Sequence, residues 1–266
     1  MTEITAALVK QLRDRTGAGM MECKRALQET DGDLDAARTL LREKGLAAAG
    51  KRADRATTEG LVGVIVEPRV ATIVGIGCET EPVSKNEAFQ AFGEKVLRTV
   101  HADGKEATAS FEEERTELIA QLGENIVIAG AERYEGGTLA AYVHPPANKI
   151  GVLVQLEGGS EELARQLGMH ISFAAPEYQR REDVPADVLE AERAVYLNSD
   201  EVQSKPEAAR EKIVDGMLGK RFFAAVPGGV LVEQAWIHDA GKTVGQALDD
   251  AGATVTGFTR VSVAGS

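Results

Sequence analysis

The chain has 266 residues, 43% of them hydrophobic and 27% charged, with 42 acidic side chains against 30 basic ones for a net charge of −12. That length holds one large domain or two to three small ones, and the acid excess argues against direct binding of nucleic acid, which needs a basic face. The two cysteines, Cys23 and Cys78, form no CxxC, which excludes a disulfide framework and a thiolate zinc site and suits a reducing cytoplasm.

The opening stretch MTEITAALVKQLRD carries a carboxylate at residue 3 and no continuous apolar core, so it is not read as a signal peptide. No later run approaches the roughly 18 apolar residues of a membrane span. Residues 1–45 read as a small helical unit. Leu8 and Leu12 share a face of a first helix, and TGAG (16–19) is a turn. A second helix carries Met20, Cys23, Ala26 and Leu27; a third runs from an Asp33 N-cap through Leu34, Ala37, Leu40 and Leu41 to Gly45. Such a unit has a marginal core and needs support from the rest of the chain or from a partner. The alanine-rich, charged stretch 46–59 reads as a linker.

From Gly60 the texture changes. GLVGVIVE and VATIVGIGCE are two β-rich runs around a Pro-Arg turn, a hairpin signal. A helix is predicted over 84–100, a second over 111–122, and NIVIAGAERYEGG reads as a strand. The order then repeats: TLAAYVH and KIGVLVQLEGG flank a proline turn, and SEELARQLGMHISFA is the helix after them. Further on, EAAREKIVDGMLGKRFFAAVPGG echoes EERTELIAQLGENIVIAGAERYEGG. The expected fold is α+β: an N-terminal three-helix module, a linker, and a duplicated core with halves at 60–138 and 139–266. The second half carries a helical insert at about 185–220, broken near Pro206.

Motifs for bond-making chemistry fail one by one. AGKT (240–243) lacks the first glycine that a phosphate-binding loop needs ahead of its Gly-Lys-Thr; Gly241 as a turn and Thr243 as a helix cap fit better. GIGCET (75–80) has two fingerprint glycines but Thr80 in place of the third, on a hairpin strand. The four histidines, His101, His144, His170 and His238, show no metal spacing, and His170 among Leu167, Met169 and Ile171 reads as a core residue. Cys78 ends an apolar strand beside Glu79 and Glu81; carboxylates raise a thiol's pKa, the wrong direction for a nucleophile. Glu79 and Glu81 alternate along an extended end and could share a face, but two carboxylates make a weak metal site. A binding protein is the better expectation than an enzyme.

The run LVKQLRDRTGAGMMECKRALQETDGDLDAARTLLREKG closely resembles the N-terminal module of the elongation factor Ts family, with its Leu-Arg-x-x-Thr-Gly-x-Gly signature at Leu12, Arg13, Thr16, Gly17 and Gly19, followed by Met20, Met21, Cys23 and Lys24. NEAFQAF, EEERTELIAQLGENI, KIGVLVQLEGG, MHISFAAPEY, KTVGQAL and ATVTGF continue the match in order, over essentially the whole chain. The resemblance implies a module like ubiquitin-associated domains, a duplicated α+β core and a helical hairpin. It implies a guanine-nucleotide exchange factor for elongation factor Tu, a GTPase, with no cofactor, metal or bond-making chemistry of its own. It further implies that module and core grip the partner's nucleotide-binding domain, with Arg13, Met20, Met21 and His144 among the contacts. One of the two adjacent methionines is expected to face the helix core, because neighbours lie about 100° apart around a helix.

In the family, a loop reading Thr-Asp-Phe-Val inserts beside the partner's magnesium site. The matching positions here are Thr80, Glu81, Pro82 and Val83. Glu81 keeps the carboxylate with one more methylene. Pro82 replaces an aromatic that buries up to about 150–250 Å², and it fixes φ near −65°. Two other readings stay open at this point: a holder of elongation factor Tu in which exchange is incidental, and an enzyme whose site carries no recognisable motif. The second half of the core is a candidate surface for a homodimer, and no residue in the sequence decides it.

Overall fold

The computed structural model describes residues 4–52 and 54–264. The outermost positions of the first and last segments, 1–3 and 265–266, and position 53 of the linker lie outside the described residues.

Three helices form the N-terminal module: α1 (Ala6–Thr16), α2 (Met20–Glu29) and α3 (Leu34–Gly50). Thr5 caps α1 by accepting the Leu8 N–H, and Gly17 ends it at φ 68°, a left-handed conformation that glycine adopts without a Cβ clash. Asp33 caps α3, its carboxylate accepting the N–H groups of Asp35 and Ala36 at 2.9 and 3.0 Å. Val9, Leu12, Cys23, Ala26, Leu27 and Ala37 fill the space between the helices.

Two three-stranded antiparallel sheets build the core. The first has the order β1 (Glu59–Val66), β2 (Val70–Cys78), β3 (Ile126–Glu135). The second has β4 (Thr138–Val143), β5 (Ile150–Glu157) and β8 (Thr254–Ser262); a small hairpin, β6 (Ala235–Trp236) and β7 (Asp239–Thr243), lies apart. The large sheets pack face to face through Val62, Ala71, Ile73, Leu139, Leu153, Val261 and Val263. Glycines permit the close approach: a Cβ on Gly75 would meet Val261 at 2.4 Å, and one on Gly151 would meet Val62 at 2.5 Å. The outer face of the first sheet carries α5 (Glu87–Asp103), with Phe89, Phe92, Val96 and Val100 buried beneath it. The outer face of the second carries α7 (Glu161–Ala174) and α11 (Val244–Asp250). Covered on both faces, β2 is buried along nearly its whole length, hence the unbroken apolar run VATIVGIGC. The architecture is therefore α+β, a helical module followed by a duplicated core.

The duplication shows in detail. Where β2 meets β3, register shifts between Gly75 and Ile76; where β5 meets β8, it shifts between Gln155 and Leu156. Each third strand carries one extra residue just before a glycine, Gly130 in one half and Gly257 in the other. A helix and a left-handed glycine precede each: α6 (Glu112–Leu122) with Gly123, and α11 with Gly252. This corrects the echo read between EERTELIAQLGENIVIAGAERYEGG and EAAREKIVDGMLGKRFFAAVPGG. The latter forms α10 (Glu207–Met217), a π-helical turn over Leu218–Phe223 and a coil, and contributes no sheet strand. It belongs to the helical insert, with α8 (Ala186–Leu197) and α9 (Asp200–Gln203), and has its own cluster of Val184, Val202, Val214, Met217 and Phe223. Arg193 ties α8 to Glu211 and Asp215 of α10.

Two boundaries also move. The helix expected over 84–100 starts at Glu87, where the Asn86 side chain accepts the Ala88 and Phe89 N–H groups. Separately, α3 passes through Gly45 to Gly50, so the first five residues of the expected linker 46–59 are helical. Alanine favours that continuation, and Gly45 serves contact instead: a Cβ there would lie 2.4 Å from the Cβ of Ala120 on α6. Among the described residues no helix is long and apolar enough to cross a membrane.

Candidate functional site

At the end of β2 the chain leaves the sheet and makes one helical turn, α4 (Glu81–Ser84), before α5 begins. Thr80 stands at the N-cap with extended backbone, and Pro82 occupies the first turn, where a missing N–H costs nothing. Val83 packs on the first core and Ser84 is buried, its hydroxyl donating to the Glu81 carbonyl at 2.8 Å. Glu81 and Pro82 are exposed at the tip. Lys85 pairs with Glu81 at 2.6 Å and holds its carboxyl below the usual range, so Glu81 is ionised at neutral pH with the Lys85 charge beside it.

The base of this turn is clasped to β3. Glu124, just past the end of α6, accepts the N–H of Thr80 at 2.9 Å, the N–H of Glu79 at 3.2 Å and the Thr80 hydroxyl at 2.5 Å. Glu79 answers by accepting the Asn125 N–H at 2.7 Å, and it pairs with Arg55 at 3.5 Å. The Asn125 side-chain amide donates to the Arg55 carbonyl at 2.7 Å. Since Cys78 lies opposite Ile126 in the sheet, these side chains extend the ladder past its last backbone pair. Glu79 therefore turns into the clasp while Glu81 faces solvent; the two carboxylates do not share a face. Cys78 is fully buried, and its thiol is pushed up to about 12, first by burial and then by the charge of Glu124. The charges that raise it are thus Glu124 and Glu59, not the Glu79 and Glu81 expected from adjacency.

His144 follows β4 and is exposed, hydrogen bonded to the Tyr142 hydroxyl at 3.1 Å. Its turn returns through Lys149, which pairs with Glu59 opposite Cys78 and also lowers the pKa of Glu81. The His144 turn and the 80–83 turn therefore stand at the same end of the core. In the module, Arg13 is exposed and makes no ion pair among the described residues. Met20 and Met21 are 45% and 64% exposed. The expectation that one of them is core fails, because the buried face of α2 is Cys23, Ala26 and Leu27, and Met20 and Met21 sit at the helix's open start.

Elsewhere the residues have structural roles. His170 is buried, with Nε2 hydrogen bonded to Gln234 at 2.9 Å and Nδ1 facing the Ile237 N–H at 3.4 Å; burial lowers its pKa. Thr243 and Gln246 form a reciprocal cap on α11, and Lys242 pairs with Asp250. Among the described residues no group of three or more His, Cys, Asp or Glu side chains could hold a metal ion.

The sequence profile of the family described as "Elongation factor TS" matches residues 79–265. Curated proteins named Elongation factor Ts from Salmonella typhimurium (strain LT2) and Salmonella typhi are each 42% identical to the chain, over 99% of its length and 92% of theirs. The chain belongs to the elongation factor Ts family. Membership makes it a translation elongation factor of the nucleotide-exchange class, with elongation factor Tu as partner. The family profile begins at Glu79 and so takes in Glu79, Thr80, Glu124 and Asn125 of the clasp, while Arg55 precedes it. The relatives' 99% coverage takes in the helical module as well. Sequence reasoning missed Glu124, Asn125 and Arg55. The only signal was a carboxylate and an amide directly after a glycine that ends a helix, and their partners lie about 45 residues away or more.

Proposed function

We propose that this chain promotes GDP release from elongation factor Tu by bringing the 80–83 turn against the partner's magnesium site, without breaking any bond. The observation that carries the reading is the tip itself: Glu81 and Pro82 are solvent-facing on a turn anchored from behind by a network of charge-assisted hydrogen bonds. A carboxylate presented this way acts on a metal ion and its waters by charge, which falls slowly with distance. The ion is the largest local charge on the nucleotide phosphates, so disturbing it is an efficient way to loosen them. Pro82 offers little area for wedging, so charge and a stiff backbone carry the action in this chain.

By linkage, nucleotide and exchange factor weaken each other's binding equally. A weakening of about 10⁴-fold needs a coupling of roughly 5.5 kcal/mol. Contacts away from the turn supply the grip. Met20 and Met21 offer an adaptable apolar surface, Arg13 an exposed charge and His144 a polar contact on the turn's own side of the core. The module at 1–45 and the core halves at 60–138 and 139–266 then act as separate grips on the partner's nucleotide-binding domain and beyond it. The setting is the bacterial cytoplasm, with protein as the partner and no direct nucleic-acid contact. The test is release of fluorescent GDP from elongation factor Tu with a substoichiometric amount of this chain. Accelerated release from many partner molecules per factor supports exchange; tight binding without turnover supports a holder instead.

A further inference from the structure

We propose that Glu124 is the positioning residue of the 80–83 turn, and that α6 makes the N-terminal module and the turn one mechanical unit. The inference rests on the exchange reading above and names what holds its lever in place. Thr80 is the N-cap of α4, yet its hydroxyl caps nothing; it is taken by Glu124 at 2.5 Å. The same carboxylate takes the last two N–H groups before the turn. The direction in which the chain leaves β2, and so where Glu81 and Pro82 point, is set by a side chain from the end of α6.

The helix α6 also faces the module. Ala120 lies against Gly45 and Gln121 against Gly17, where any Cβ would clash, and Arg42 of α3 pairs with Glu113 and Glu117 at 3.0 and 2.8 Å. One helix of 11 residues thus carries the module on its side and the turn at its end. A module docked on the partner would, through α6, fix the height and angle at which the turn arrives.

Two substitutions separate holding from charge. Glu124→Gln keeps the reach: its oxygen accepts both N–H groups, and its NH2 donates to the Thr80 hydroxyl. Glu124→Asp keeps the charge and withdraws it by one methylene. In fluorescent-GDP release from elongation factor Tu with the full chain, Glu124→Gln is expected to keep the maximal rate. Glu124→Asp and Glu124→Ala are expected to lower it about tenfold, what the loss of one or two ordinary hydrogen bonds takes from a conformation's population. The concentration giving half-maximal release should change far less, because other surfaces supply the grip. Amide exchange at Glu79 and Thr80 should quicken in the slow variants only.

A Glu124→Asp variant as fast as the wild type, or a Glu124→Gln variant as slow as Glu124→Asp, overturns the positioning role. So does a loss confined to half-maximal concentration. If Glu124→Ala does not fold, the contrast between Gln and Asp still decides. Failure of the wild type to accelerate release is a different result: it overturns the exchange reading itself, and this inference with it.

Discussion

Glu81 is exposed and paired with Lys85, a surface pair that gives way readily to a partner's groups. Replacing it with alanine is expected to slow GDP release while leaving affinity for the nucleotide-free partner nearly intact, as stopped-flow release and a binding titration would show. Normal release by Glu81→Ala would remove this turn as the lever. Pro82→Phe tests the other half of the tip: it holds or raises the rate where the partner keeps a receiving pocket, and lowers it where the pocket has narrowed. Met20 and Met21 both lie outside the module's core, so Met20→Ala and Met21→Ala should leave the unfolding midpoint unchanged. At a binding hot spot each costs on the order of 1–3 kcal/mol of partner affinity. Unchanged affinity for both would leave them as ordinary surface residues.

At the scale of elements, the contact of α3 on α6 turns on a residue with no side chain. Gly45→Val would press its methyl groups into Ala120 and is expected to loosen the module from α6, at about 1–3 kcal/mol. Faster amide exchange along α6 without unfolding of the sheets would register that loosening; unaltered exchange would mean the contact has no weight. The contact of α7 with the base of the helical insert turns on His170, whose partner Gln234 donates to the carbonyls of Ala225 and Gly228. Burial lowers the folded-state pKa of His170 below its ordinary 6.5. The unfolded chain therefore binds the proton first, and the stability present above 6.5 is lost progressively as pH falls toward the folded value. An imidazole titration followed by NMR should show a midpoint below 6.5; one above it contradicts the burial.

For the whole molecule, the three buried clusters of the core — under α5, between the sheets, and under α7 — share no residue with that of the module. Deleting residues 1–50, the end of α3, should leave the core folded by circular dichroism and by its thermal transition. Exchange should fall strongly, because one grip and the support of α6 are lost together. Full activity of the truncated chain would show that the module plays no part in partner binding.

Periodicity and capping chemistry are local, and so the sequence by itself determined most of the elements. Asp33 and Thr243 announce helix starts, VATIVGIGC reads as a strand of a hairpin, and the order hairpin-then-helix betrays a duplication. The signature around Thr16 to Lys24 carried the family, and with it the candidate turn at 80–83. What the sequence could not determine depends on distant groups. Gly45 looks like a helix end until Ala120 is brought against it. The strand GENIVIAG has its counterpart in GATVTGF, not in the apolar segment that resembles it in composition, because each pairs as the third strand of its own sheet. Glu124 reads as one more surface acid until antiparallel pairing of β2 with β3 sets it opposite Thr80, where a carboxylate can take the amides that the sheet has ceased to pair. Tertiary structure decided these because hydrogen bonds and steric contact act over a few ångströms in space, whatever their separation along the chain.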